Sequence, residues 1–207
     1  MFDERWPREA EELADALTAI LTKHCPPEAL RALDRGESEA ADFVGQLDEA
    51  MRGFGLWVLP ADPYLLSRAA VTLGAHLAPA PFVSAMPAYV LLGEPEVANG
   101  VDRPVVPAAL PRIAVPMEPG LGISALAGTA RRSAAGEPVL VVGDINPQAC
   151  DGDVDALRAW GFLLEAARLV GAAGALIRYG VNYVVDRRQF GVPVGSFQGV
   201  SHPMADV

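Results

Sequence analysis

From Asp153 to about Arg187 apolar residues return every three or four positions. Leu157, Trp160, Leu164, Ala167, Gly171, Gly174, Ile177, Val181 and Val184 fall roughly on one stripe, which predicts a helix. At 1.5 Å per residue this helix is a rod of about 50 Å. A stripe that long needs shelter, and no partner bundle for it is visible in the sequence, so it marks an interface. Gly171 and Gly174 allow another helix to approach closely, and they weaken this one. The rod therefore demands a mainly helical fold.

The rest of the composition is that of a globular protein. The chain has 207 residues, 51% hydrophobic and 20% charged, enough to bury a sizeable core in one or two domains. Its net charge of -10 argues against a nucleic-acid partner, because phosphate binding needs a basic face. Cys25 and Cys150 have no metal spacing and do not suggest a disulfide framework, which fits a reducing cytoplasm. The acidic start MFDERWPREAEEL has no apolar signal region. No run approaches the roughly 18–20 apolar residues of a membrane span, since Glu165, Arg168 and Arg178 interrupt 163–181.

Ahead of the rod, the pattern divides in two. Residues 8–24 carry Leu13, Ala14, Leu17, Ile20 and Leu21 at helical spacing, and Pro26-Pro27 stops that helix. A short helix is expected over 28–34, ending at Gly36. Ser38 is placed to cap the next, which presents Phe43, Val44, Leu47 and Met51 and ends near Gly53. Gly55 to Pro60 reads as a buried connection, and helices are expected over 64–78 and 83–92. Residues 93–150 differ: Pro95, Pro104, Pro107, Pro111, Pro116, Pro119, Pro138 and Pro147 break any long helix. Arg112–Val115 and Pro138–Val142 read as short strands there. The expected division is 1–92 helical domain, 93–150 reduced β-like middle, and 151–207 the start of a C-terminal helical domain.

After the rod, Tyr183–Val207 reads YVVDRRQFGVPVGSFQGVSHPMADV, a cationic turn, a Pro- and Gly-marked connection, and a new helix near Ser196-Phe197-Gln198. This segment resembles the acyl-CoA dehydrogenase family, where a tyrosine, three residues and an arginine lead into QFG, then a proline, then FQ. Arg187, Gln189, Phe190, Gly191, Pro193, Gly195, Phe197, Gln198, His202, Ala205 and Asp206 fall on that pattern. Weaker matches lie upstream. Gly55 to Pro60 is similar to the family's GL-x-x-L-x-P stretch, and Met117–Gly122 is distantly similar to its TEP-x-x-G motif.

The resemblance implies a fold: an N-terminal helical domain, a β-domain of roughly a hundred residues, here about half that, and a C-terminal bundle that the rod begins. It also implies FAD as cofactor, an acyl-CoA substrate, and a homo- or hetero-oligomer with a dehydrogenase-like chain. Arg187, Gln189, Phe190, Phe197 and Gln198 are then the cofactor-binding residues, reaching the pyrophosphate and adenosine of a flavin bound mainly by a neighbouring subunit. The residue types suit that role. A guanidinium forks onto phosphate oxygens, an amide both donates and accepts, and Phe190 offers a face for stacking. The plain alternative is a solvated helix end where arginine complements the dipole.

The catalytic groups are harder to find. Most family members carry the base beyond position 207, and some carry it on the rod. Counting back from Phe190, that base position is Gly161, its neighbouring arginine is Phe162 and the aspartate partner is Ala159. Asp155 and Arg158 restore an Asp-x-x-Arg pair if one helical turn is inserted. Glu165 is a further carboxylate, three residues from Arg168, a spacing that gives a weak surface pair. A rival reading takes Gly120-x-Gly122-x-x-Ala125, a helix over 126–135, strand 138–142 and Asp144 as a dinucleotide-binding unit, although Pro116 and Pro119 obstruct its first strand. His24, His76 and His202 lie on different elements, and no Gly-x-Ser-x-Gly elbow surrounds Ser84, Ser124 or Ser133. Trp6, Trp57 and Trp160 are expected to pack. The function expected is FAD-dependent α,β-desaturation of an acyl-CoA thioester by a subunit of such an enzyme. The alternative is a catalytically degenerate subunit supporting a flavin site on its partner.

Overall fold

The computed structural model describes residues 5–37, 40–94, 96–103, 105–117, 120–133 and 138–206. Helix α1 spans Arg8–His24 and buries Ala10, Ala14, Leu17 and Leu21, the face its apolar spacing predicts. Helix α2 covers Pro27–Arg35 and ends at Gly36 with φ 74°, a left-handed cap that suits glycine. Helix α3 covers Ala40–Phe54, and its expected cap Ser38 lies outside the described residues. A 3₁₀ turn at Leu56–Val58 then buries Leu56 and Trp57. Helix α4, Pro63–Ala75, starts where the Asp62 carboxylate accepts from Tyr64 N at 2.8 Å and Leu65 N at 2.9 Å. Such a cap is worth about 1 kcal/mol. Helix α5 follows over Phe82–Leu92.

The middle segment is more ordered in β-structure than its prolines predict. Among the described residues, seven short strands run from β1, Val97–Asn99, through β2, Val105–Pro107, β3, Arg112–Met117, and β4, Gly120–Ala125, to β5, Gly128–Arg132, β6, Pro138–Val142, and β7, Gln148–Cys150. They form a four-stranded sheet ordered β1-β3-β4-β7 and a three-stranded sheet ordered β2-β6-β5. Strands of three residues carry too little alternation to be read from sequence, so only β3 and β6 were visible there. The dinucleotide-binding reading fails on this topology. Residues 128–132 are strand, not helix, and β3 and β4 are antiparallel neighbours.

The rod is helix α6, Val154–Asp186, 33 residues capped by the Asp153 carboxylate. It lies against α4 and α5. Leu157, Leu164 and Gly171, seven residues apart, are its buried ladder. Leu164 joins the large core of Leu17, Leu47, Met51, Phe82 and Ile113, and Leu157 joins a smaller one with Val97 and Leu121. Glycines on both helices make the α4–α6 crossing possible. A Cβ at Gly171 would stand 1.9 Å from the Val71 carbonyl oxygen, and one at Gly74 would stand 2.0 Å from that of Arg168. Gly174, expected to share this role, faces only the Arg178 side chain of its own helix. Helix α6 is long and apolar enough to cross a membrane by length and composition alone, a test that the core helix of a soluble protein also passes, and 17% of its most apolar window is buried in this chain. The charged residues that interrupt it are spread too thinly to change that measure.

Strands β8, Arg188–Gln189, and β9, Val192–Pro193, form a tight hairpin after α6, and helix α7 covers Gln198–Ala205. The chain is mainly α, with two helical parts flanking a small β-structure.

Candidate functional site

The hairpin after α6 brings the predicted turn together. Arg188 pairs with Pro193 and Gln189 with Val192, and the Arg187 carbonyl accepts from Val194 N at 2.7 Å. Gly191, at φ 82°, lets the chain reverse. Phe190 sits beside it at φ 51°, a left-handed conformation unusual for a bulky residue, and is 95% exposed. Its ring meets Phe197 edge-on, centroids 6.4 Å apart. Arg187, Gln189, Phe197 and Gln198 are also exposed, and Gln198 opens α7. All five candidate residues therefore lie on one outward-facing turn.

The base position on α6 is closed by sterics. A Cβ at Gly161 would stand 2.4 Å from Asn99 Nδ2. Asn99 is buried and ties β1 to the helix, donating to the Leu157 carbonyl at 3.2 Å while its Oδ1 accepts from Val101 N at 3.0 Å. Phe162 and Ala159 are exposed. The Asp155–Arg158 pair exists, but Arg158 also binds Asp102 at 2.7 Å, so it fastens the helix start to the β1–β2 connection.

Glu165 is more than a surface residue. It pairs with Arg168 as its spacing predicts, and it also lines a cavity of about 260 Å³ between α3, the α4–α5 connection, the β2–β3 region, β6 and α6. Arg103 lines the same wall. It donates to the Gly161 carbonyl at 3.2 Å and stands 4.0 Å from Glu165. Across the cavity are Trp57, Met51, Val83 and Leu110, and Arg52 stacks over the Trp57 ring while bound to Asp48 at 2.6 Å. Trp57 packs as expected, 6.1 Å from Phe82 between centroids, yet its Nε1–H is buried without an acceptor among the described residues. Neither Arg103 nor this cavity was legible in the sequence, because Arg103 sits in the proline-broken segment far from any motif.

The remaining candidates do not converge. His24 ends α1, His76 caps α4 and His202 lies in α7. Burial, and then the charge of Arg178, holds His76 below its ordinary value. Ser84 and Ser124 are buried in α5 and β4. Burial pushes the Cys25 thiol up to about 11, leaving it unreactive. Among the described residues no group of three or more His, Cys, Asp or Glu is placed to hold a metal.

No family model matches the chain. A stretch of 56 residues is 46% identical to acyl-CoA dehydrogenase IpdE2 of Mycolicibacterium smegmatis, covering 27% of this chain and 18% of that protein. Among solved structures, the ChsE4-ChsE5 complex from Mycobacterium tuberculosis aligns over 99% of this chain and 74% of its own, with TM-score 0.75 and 19% identity. A variant of the Tcur3481-Tcur3483 steroid acyl-CoA dehydrogenase aligns over 96% and 72%, with TM-score 0.74 and 20% identity. An FAD complex of PigA aligns over 99% and 76%, with TM-score 0.61 and 15% identity. The helix–sheet–helix order ending in the RQFG turn is thus that of the acyl-CoA dehydrogenase fold. The chain thus has the acyl-CoA dehydrogenase fold, and a 56-residue stretch of it is similar in sequence to a member of that family, of whose length the match spans 18%.

Proposed function

We propose that this chain is a subunit of an FAD-dependent acyl-CoA dehydrogenase assembly, and that its Arg187–Gln198 turn serves a flavin held mainly by a neighbouring chain. The observation that carries this is Phe190, 95% exposed at φ 51°. A non-glycine residue held there costs about 1–3 kcal/mol, which packing within the chain does not explain. The donor set fits the pyrophosphate and adenosine end of FAD: a guanidinium at Arg187, amides at Gln189 and Gln198, and aromatic faces at Phe190 and Phe197. Arg187, Gln189, Phe190, Phe197 and Gln198 would hold that end of FAD, and the bound flavin would supply a hydride acceptor for desaturation of an acyl-CoA thioester. In this chain Arg187 binds phosphate, the two glutamines orient the nucleotide, and Phe190 stacks on it and excludes water. The division into 1–92, 93–150 and 151–207 belongs to this reading. So does a reducing cytoplasm, where Cys25 and Cys150 stay thiols.

The outer face of α6 supports the assembly. Phe162, Leu169 and Leu176 form a second seven-residue ladder, 63%, 54% and 70% exposed. Five residues separate it from the buried ladder, a rotation of about 140°. A helix apolar on two opposite faces calls for cover on both.

A second reading, that the chain supports a flavin site without supplying the catalytic base, is favoured by Gly161, where no side chain fits. An anaerobic acyl-CoA panel with added FAD tests the second reading. The purified chain should show no flavin bleaching, since general-base catalysis is worth about 10²–10⁴-fold. Bleaching abolished by Glu165→Gln would instead make Glu165 the base and sink the second reading.

A further inference from the structure

We propose that Met204, seated on Gly180 of α6, is a positioning residue for the Phe190 ring. This rests on the flavin reading of the Arg187–Gln198 turn and adds the residues that hold the turn in one geometry. Phe190 needs such support. It is 95% exposed, and the ring contact it makes among the described residues is edge-on to Phe197. An edge-on pair fixes one ring only when the other is itself fixed.

Phe197 is fixed by α7. Its carbonyl accepts from Val200 N at 2.8 Å, Ser201 N at 3.0 Å and Ser201 Oγ at 3.3 Å, so it moves with the first turn of that helix. Helix α7 has eight residues, too few to persist alone in water, so its contacts with α6 keep it in place. Two such seats are present. A Cβ on Gly180 would stand 3.3 Å from Met204 Cε, so the half-buried methionine tip lies where a side chain would begin. A Cβ on Gly195 would stand 3.2 Å from the Val184 carbonyl oxygen, which brings the 3₁₀ turn ahead of α7 close to α6 as well. Gly180 and Val184 are four apart and share one helix face, which also carries Leu176. The line of support therefore runs from Gly180 through Met204 and α7 to Phe197 and then to Phe190. A binding group held by a packed second layer keeps its geometry, and a loose one loses affinity to the cost of ordering it.

A double-mutant cycle read by FAD titration of the assembled complex tests this. Phe190→Ala should weaken FAD binding by about fivefold to a hundredfold, the range of one aromatic–base stack. Met204→Ala, which empties the seat, should produce much of that loss, and Met204→Leu, which refills it, should recover most of the affinity. In the Phe190→Ala background Met204→Ala should add nothing, because its effect runs through the ring. Trypsin gives a reading without flavin, on the full chain alone. Cleavage after Arg187 and Arg188 should be faster in Met204→Ala than in wild type or Met204→Leu, with cleavage elsewhere unchanged. Wild-type affinity in Met204→Ala, additive losses in the double variant, or equal cleavage rates overturn the positioning role and leave the flavin reading standing. Unchanged affinity in Phe190→Ala sinks the flavin reading, and the positioning role with it.

Discussion

His76 carries a depressed pKa, caused first by burial and then by the charge of Arg178 on the packed helix. The unfolded chain binds a proton near pH 6.5, while the folded chain resists it to lower pH. Between those two values the unfolded state holds more protons, so stability rises with pH there and falls as pH drops from about 6.5 to the folded value. Urea melts should show lower stability at pH 5.5 than at pH 7.5, with His76→Asn losing part of that dependence. An identical dependence in the variant would mean that His76 titrates alike in both states. Residue identity alone gave no hint of this, because the depression comes from α6 lying over the end of α4. Likewise Glu165 was legible as a partner of Arg168, but its place on a cavity wall depends on Arg103, 62 positions earlier in the chain.

Helix α6 decides how the rest of the chain is arranged. Its existence and inward stripe were plain in the sequence because the 3.6-residue period persists for nine turns or so. Which glycine makes the close approach was not plain, since Gly171 and Gly174 look alike until α4 is in place. Their substitutions should therefore move stability in opposite directions. Gly171→Ala drives a Cβ to 1.9 Å from backbone and should cost about 1–3 kcal/mol or more. Gly174→Ala meets only a flexible arginine at 3.5 Å and should gain about 0.5–1 kcal/mol from helix entropy. Chemical denaturation of the two variants reads both signs, and a loss at both positions would mean the crossing is misplaced. The β-structure was half visible at best. Strands of three residues are defined by their neighbours in the sheet, and neighbour identity is not a local property.

For the whole molecule, the outer ladder of α6, left uncovered by α4 and α5, argues for association. Light scattering at micromolar concentration should give a dimer or larger assembly, and a stable, soluble monomer would contradict that. The RQFG turn was legible because eleven residues repeat a pattern tied to one backbone path. Its outward presentation was not legible, because exposure depends on what the rest of the fold leaves uncovered. The account rests on that turn reaching a flavin phosphate, and flavin titration of the assembled complex with wild-type chain and with Arg187→Ala tests it most directly. An exposed arginine at a helix end contributes little to stability, so the variant should stay folded. A charge-assisted phosphate contact is worth about 1.5–3 kcal/mol, so flavin affinity should fall roughly tenfold to a hundredfold. Equal affinities would contradict the account and leave the turn with a packing role only.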